Sequence, residues 1–152
     1  MRNNFFFSIV CVFIIVNIID LITAYFILPG EANLLYLLTG TYWSLIIVKI
    51  FVISLILYVY YKNVLPSRFW HFTFVYIVLI SIILTGIGAY SNITAMNNPE
   101  VLEQASKMSV QEKSEGYGIF ILFLYVVPYM LSAVSFKLFE HNEKTVRYEN
   151  DG

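Results

Sequence analysis

The chain has 152 residues, of which 59% are hydrophobic and only 12% are charged. Soluble domains carry about 25% charged residues, so this composition predicts an integral membrane protein whose first partner is the lipid bilayer. The formal net charge of −1 offers no basic surface for nucleic acid. Nucleic-acid-binding functions are excluded on that ground.

Four apolar stretches are each long enough to cross a hydrocarbon core of about 30 Å as a helix. They run from Phe5 to Leu28, from Tyr42 to Tyr61, from Phe69 to Tyr90 and from Tyr117 to Phe139. The remaining segments are too short to close a core of their own, which excludes a soluble catalytic or nucleotide-binding domain. The sequence predicts an all-α membrane four-helix bundle over residues 1–139 and a charged, mobile cytoplasmic tail over residues 140–152.

Lysine and arginine are distributed unevenly on the two sides of these segments. The side that holds both termini carries Arg2, Lys62, Arg68, Lys137, Lys144 and Arg147. The opposite side carries only Lys107 and Lys113. Because an excess of basic residues marks the cytoplasmic side, we expect a cell-membrane protein with both termini in the cytoplasm.

Two short helices are predicted on the outer side. Asn33 precedes the apolar run from Leu34 to Leu38, which is too short to cross the membrane and is typical of an interfacial helix with an asparagine cap. Asn98-Pro99-Glu100 is a typical helix start. Apolar residues then repeat at helical spacing, so we expect an amphipathic helix on the membrane or on the bundle. Those residues are Val101, Leu102, Ala105 and Met108.

Asp20 and Lys49 are the two clear ionisable residues inside apolar segments, where each costs about 2.5–3.5 kcal/mol to insert. Asp20 lies about 12 Å below the outer end of the first segment, and Lys49 about 9 Å below that of the second. Opposite charges at matched depth on consecutive antiparallel helices predict an ion pair. We expect this pair either to fix the rotation of the two helices or to take part in binding or in proton transfer. Glu31 is close enough in the sequence to join it.

Polar or small residues also form stripes on the individual segments. Asn17 and Thr23 flank Asp20 at intervals of three residues and can hydrogen-bond to neighbouring helices. The third segment offers Ser81, Thr85 and Gly88, and the fourth offers Tyr125, Pro128, Tyr129, Ser132 and Ser135. We expect these stripes to face a centre that is polar toward the outer leaflet, while Asn92-Ile93-Thr94 is interpreted as an accidental match to a glycosylation acceptor.

The sequence predicts no metal site, no cofactor and no disulfide. His71 and His141 are far apart and have no cysteine, histidine or glutamate at metal-ligand spacing. Cys11 is the single cysteine and is expected to be a buried small hydrophobe. No membrane serine has an obvious histidine at similar depth to act as its base.

The residues Asp20-Leu21-Ile22-Thr23, then Glu31-Ala32-Asn33, then Lys49, resemble a pattern of small prokaryotic multi-span membrane proteins, the domain of unknown function 5658 family. That pattern is Asp-x-x-Thr, then Glu-x-Asn followed by proline, then a lysine in the next helix. Leu34 stands where the proline is expected. The resemblance covers about the first 60 residues and implies that Asp20, Thr23, Glu31, Asn33 and Lys49 belong together. It implies no activity.

Three functions are compatible with these features. The first is a non-enzymatic scaffold or subunit that binds a second copy or another membrane protein through exposed helix faces. The second is a small oligomeric transporter or proton-coupled carrier in which Asp20 titrates. The third, an intramembrane hydrolase, lacks an evident nucleophile and base.

Overall fold

The computed structural model describes residues 4–30 and 33–150, and every regular element in these ranges is helical. The helices are α1 (Asn4–Phe26), α2 (Leu34–Thr39), α3 (Tyr42–Lys62), α4 (Arg68–Met96), α5 (Pro99–Lys107) and α6 (Val110–Asn150), with a 3-10 turn at Leu28–Gly30 after α1. Four of them, α1, α3, α4 and α6, are long and apolar enough to cross a membrane. The all-α fold with four candidate membrane helices is confirmed.

The helices α1 and α4 form the most extensive packing in the described part of the chain. The helix α6 packs on α4, and α3 packs less extensively, against α1. The buried core lies where α1, α3 and α4 meet, and consists of Ile9, Val10, Phe13, Ile56 and Val78. The centre of this assembly is thus apolar on the side where α1 begins.

Hydroxyl groups connect α4 to α6. The Thr73 Oγ1 donates to the Ser132 Oγ at 2.9 Å in a fully buried contact, and the hydroxyls of Tyr76 and Ser135 lie 2.6 Å apart. Pro128 is among the most buried residues and faces the same seam. Of the stripe predicted on the fourth segment, Ser132 and Pro128 face inward as expected, whereas Tyr125 and Tyr129 are mostly exposed.

The helix α5 packs on the end of α1 through a close approach at Gly30. A Cβ atom added at Gly30 would lie 3.0 Å from Leu102 Cδ1 and 3.2 Å from Ala105 Cβ, so a larger residue here would require α5 to shift by a few tenths of an ångström. The predicted cap is present, because the Asn98 side chain accepts from the Val101 amide at 3.4 Å. Leu102 and Ala105 supply the packed part of the predicted apolar face, while Val101 stays exposed.

Two helices extend beyond the apolar segments predicted from the sequence. The helix α4 continues past Tyr90 to Met96, and α6 begins at Val110, before Tyr117. The charged segment after Phe139 continues α6 as a helix through Asn150. Glutamate, lysine and arginine have high helix propensity, so a charged segment without apolar periodicity can extend an existing helix.

A capping box begins α6. The Ser109 amide and hydroxyl both donate to Glu112 Oε2 at 2.8 Å, and the Glu112 amide donates back to the Ser109 Oγ at 3.2 Å. Reciprocal bonds of this kind satisfy amides that the first helical turn leaves open. The hydrogen bonds from the Ser109 side chain and backbone hold the pKa of the Glu112 carboxyl below its ordinary value.

We expect Ser109→Ala to raise the pKa of Glu112 back toward the ordinary glutamate value, because the side-chain hydrogen bond is the largest cause of the lowering. A lowered carboxyl pKa stabilises the cap above the ordinary pKa, and this contribution is lost as pH falls through the lowered one. A carbon-13 NMR titration of the Glu112 carboxyl measures the change. Ser114→Ala, which removes a bond to the Gln111 carbonyl instead, should leave that titration unchanged.

Candidate functional site

A polar cluster lies where α1, α3 and α4 meet, and we define it by Asn17, Asp20, Thr23, Lys49 and Asn92. Three of its members come from α1 at intervals of three residues, which places their side chains on adjoining faces of one helix. Asn17 and Thr23 are buried, with 6% and 8% of their surface exposed. The cluster is therefore embedded in the packed part of the molecule.

Asp20 and Lys49 form an ion pair between α1 and α3. The Lys49 Nζ lies 2.5 Å from the Asp20 Oδ2, and the two side chains retain 16% and 17% of their surface, for lysine and aspartate respectively. The same Nζ donates to the Asn17 Oδ1 at 3.2 Å. The predicted pairing of the two membrane charges is present, and the lysine is shared by two acceptors on α1.

Asn92 brings α4 into the cluster. Its Nδ2 lies 3.2 Å from the Thr23 Oγ1 and 3.4 Å from the Asp20 Oδ1, and it donates to both. Thr23 in turn donates to the main-chain carbonyl of Asp20 at 3.1 Å. The carboxylate is thus held by a cation from α3 on one oxygen and by an amide from α4 on the other.

Gly88 allows α4 to approach the carboxylate. A Cβ atom added at Gly88 would lie 3.3 Å from the Asp20 Oδ1, which is tighter than an ordinary contact. Gly88 lies four residues before Asn92, one helical turn along the same face. Gly88 and Asn92 together allow α4 to pack closely against α1 at Asp20.

A second polar contact joins α3 to α1, about two turns before Lys49 on α3. The Tyr42 hydroxyl donates to the main-chain carbonyl of Leu21. The ring of Tyr42 also meets that of Tyr25 edge-on, with centroids 5.4 Å apart. The side of α3 that faces α1 is therefore anchored at Tyr42 as well as at Lys49.

The structure brings together part of the residue set that the sequence singled out. Asp20, Thr23 and Lys49 lie in the polar cluster as described above. Glu31 lies outside the described residues. Asn33 immediately precedes α2, where its carbonyl accepts from the Leu37 amide at 2.9 Å.

Asn92 belongs to this site although the sequence places it only in an accidental match to a glycosylation acceptor. Its spacing nevertheless carries a usable signal. Ser81, Thr85 and Gly88 recur at intervals of four and three residues, and Asn92 continues that series by four. A helical stripe of small and polar residues that ends in an amide predicts a contact with a polar neighbour at that end.

The chemistry available in this site is charge neutralisation and hydrogen bonding. Within residues 4–30 and 33–150, no group of three or more histidine, cysteine, aspartate or glutamate side chains could hold a metal ion. Ser81 and Ser132 donate to carbonyls of their own helices, at 2.7 and 2.8 Å. Neither bond activates a serine, because a main-chain carbonyl is not a proton acceptor of useful basicity.

No protein-family model, no curated protein and no solved structure matches this chain. Its function has to be inferred from the contacts themselves.

We expect Asn92→Ala to lower the free energy of unfolding by about 0.6 kcal/mol, the average for a hydrogen bond between membrane helices. The effect is small because both bonds are long and Lys49 still neutralises Asp20. Thermal unfolding in detergent measures it. Asn97→Ala is the matched control, since that side chain bonds only to the Ile93 carbonyl of its own helix and its removal should change unfolding less.

Proposed function

We propose that this chain is a non-enzymatic component of the cell membrane, a small scaffold or subunit with both termini in the cytoplasm. One observation carries the proposal. The charged groups of the polar cluster form their ion pair and hydrogen bonds with side chains of the same chain, on three different helices. Buried polar groups that neutralise one another in this way orient helices. A site for a cargo would present polar groups to it.

The closure of the cluster supports this assembly role. Among the described side chains, no buried nitrogen or oxygen is left without a hydrogen-bond partner. A buried ion pair adds little net stability over a well-packed apolar pair, because desolvation of both charges offsets their attraction. Its benefit is specificity, since a rotated or shifted helix would leave a charge facing hydrocarbon.

The exposed surfaces of the membrane helices support a role in binding lipid or other helices. Large apolar side chains cover the outer faces of α3, for example Ile47, Ile50 and Phe51, whose exposures are 64%, 57% and 66%. Such faces suit acyl chains or a partner helix and offer no polar group to a soluble substrate. We also place α2 and α5 at the outer membrane surface, because both helices are short and lie between the long apolar segments.

The resemblance to the domain of unknown function 5658 family remains part of this proposal. Of the residues that its pattern groups, Asp20 contacts two: its carboxylate pairs with Lys49, and its main-chain carbonyl accepts from Thr23. Membership would make the polar cluster a shared assembly feature of such proteins.

A small proton-coupled carrier is the second candidate. One observation favours it: the side chains of Asp20 and Lys49 keep 17% and 16% of their surface exposed. A carboxylate that exchanges its lysine partner for a proton could use this opening during a cycle. The experiment below separates the two candidates.

We expect Asp20→Asn to reduce the membrane level of the protein strongly, because it leaves the Lys49 cation buried without its counter-charge. Breaking a buried pair in this way costs about 3–5 kcal/mol. Asp20→Asn combined with Lys49→Met should restore both the level and the unfolding temperature to near the original. Immunoblots of membranes and thermal unfolding in detergent measure the two quantities.

The matched control is the exposed pair of Lys107 and Glu103 on α5, 2.6 Å apart, with side chains 71% and 66% exposed. Glu103→Gln, alone or with Lys107→Met, should change neither level nor unfolding temperature noticeably. An Asp20→Asn protein that accumulates normally contradicts the assembly role. A rescued double variant that has lost proton-coupled flux in proteoliposomes would favour the carrier instead.

A further inference from the structure

The turn that joins α3 to α4 spans residues 63–67 and is braced by His71 of α4. The His71 Nε2 lies 2.9 Å from the Asn63 Oδ1, and its Nδ1 lies 2.8 Å from the Ser67 carbonyl oxygen. Asn63 also ends α3 in the left-handed conformation, and its amide donates to the Val59 carbonyl. Because one imidazole ring contacts both ends of the turn, the last residue of α3 and the first residue of α4 are held near each other.

These two residues are both cationic, and both are exposed. Lys62 is the last residue of α3, and Arg68 is the first residue of α4. The Arg68 guanidinium lies over the ring of Phe139 of α6, 5.7 Å from its centroid, and this contact limits the directions that the guanidinium can take. Glu140 follows Phe139 on α6, whereas α3, the turn and α4 contain no acidic residue. The turn is therefore flanked by two positive charges on helices that carry no negative charge.

Exposed apolar and aromatic side chains lie beside the two cations. Tyr61, Val64 and Trp70 keep 60%, 48% and 47% of their surface exposed. A soluble anion would pair with the cations and leave these three side chains in water. A phospholipid offers a phosphate to the cations and the start of its acyl chains to the apolar groups, and tyrosine and tryptophan are enriched at that boundary. The combination favours a lipid over a free anion.

We propose that the turn between α3 and α4 binds the headgroup phosphate of an anionic phospholipid through Lys62 and Arg68. The inference rests on the membrane location proposed above. The planar fork of an arginine matches two phosphate oxygens, and a lysine adds a compact charge. An anionic headgroup is preferred to a zwitterionic one, because the cation of the latter already neutralises its phosphate. Since His71 fixes the turn beforehand, little backbone freedom is lost on binding.

Native mass spectrometry of the full chain in detergent tests this assignment, with phosphatidylglycerol and phosphatidylcholine as the two probes. We expect the protein to retain phosphatidylglycerol in preference to phosphatidylcholine. Lys62→Gln combined with Arg68→Gln should weaken the apparent affinity for phosphatidylglycerol about tenfold or more, because each cation near anionic lipid contributes about fivefold. Lys107→Gln combined with Lys113→Gln is the matched control, since it removes two positive charges from α5 and α6 and should leave this affinity unchanged.

The apolar part of the contact has its own test. Val64→Ser should weaken phosphatidylglycerol binding about threefold, because a partly buried methyl pair is lost. Inorganic phosphate at the concentration of the lipid should not displace it. Thermal unfolding in detergent shows whether each variant folds. Where the double variant does not fold, Lys62→Gln alone should weaken the affinity about fivefold.

Equal retention of the two lipids by the original protein overturns the proposal, and so does an unchanged phosphatidylglycerol affinity after loss of both cations. Displacement of the lipid by inorganic phosphate also overturns it, because the apolar contacts would then contribute nothing. A chain that retains neither lipid contradicts the membrane location as well. The rescue of Asp20→Asn by Lys49→Met does not depend on Lys62 or Arg68, so the assembly role and the lipid site fail independently.

Discussion

The contact between Asp20 and Lys49 constrains the relative placement of α1 and α3. A lysine and an aspartate 2.5 Å apart neutralise each other, and each would be costly to insert alone. The pair forms only when both helices present one particular face at one particular depth. Tyr42 then anchors the same two helices through the Leu21 carbonyl. Because α3 otherwise packs less extensively than α1, α4 and α6 do, these polar contacts have a large share in orienting it.

The helix α4 connects this charged region to the rest of the molecule. Toward its C-terminal end, Gly88 permits close approach to the carboxylate and Asn92 donates to it. Toward its N-terminal end, Thr73 bonds to Ser132 of α6 in a buried contact. Polar contacts therefore recur along the molecule between neighbouring helices, each pair closed within the chain. Such a pattern suits a protein whose polar groups set the relative positions of its helices.

Much of the fold could be predicted from composition and spacing. Runs of apolar residues about 20 long predict helices that are long enough to cross a membrane, so the four long helices could be predicted from the sequence. The short α5 with its Asn98 cap could be predicted as well. The ends of α4 and α6 could not be predicted, because nothing local distinguishes a polar or charged segment that continues a helix from one that forms a loop. Asn92 could not be assigned to the site for a related reason. An asparagine at the end of an apolar segment is typical of the boundary of a membrane helix, and only the tertiary structure shows that a carboxylate lies beside it.

The sequence by itself determined the helices and the presence of two membrane charges that require partners, since the insertion cost of an ionisable side chain depends only on its type and depth. Tertiary structure decided which groups meet those charges. Helix rotation decides that Asn17 bonds to Lys49 and Asn92 to Asp20, and that Gly88 lies against the carboxylate. It also decides that Tyr125 and Tyr129 lie mostly exposed, outside the contact between α4 and α6. Rotation is set by packing between residues far apart in the chain, so no single segment encodes it.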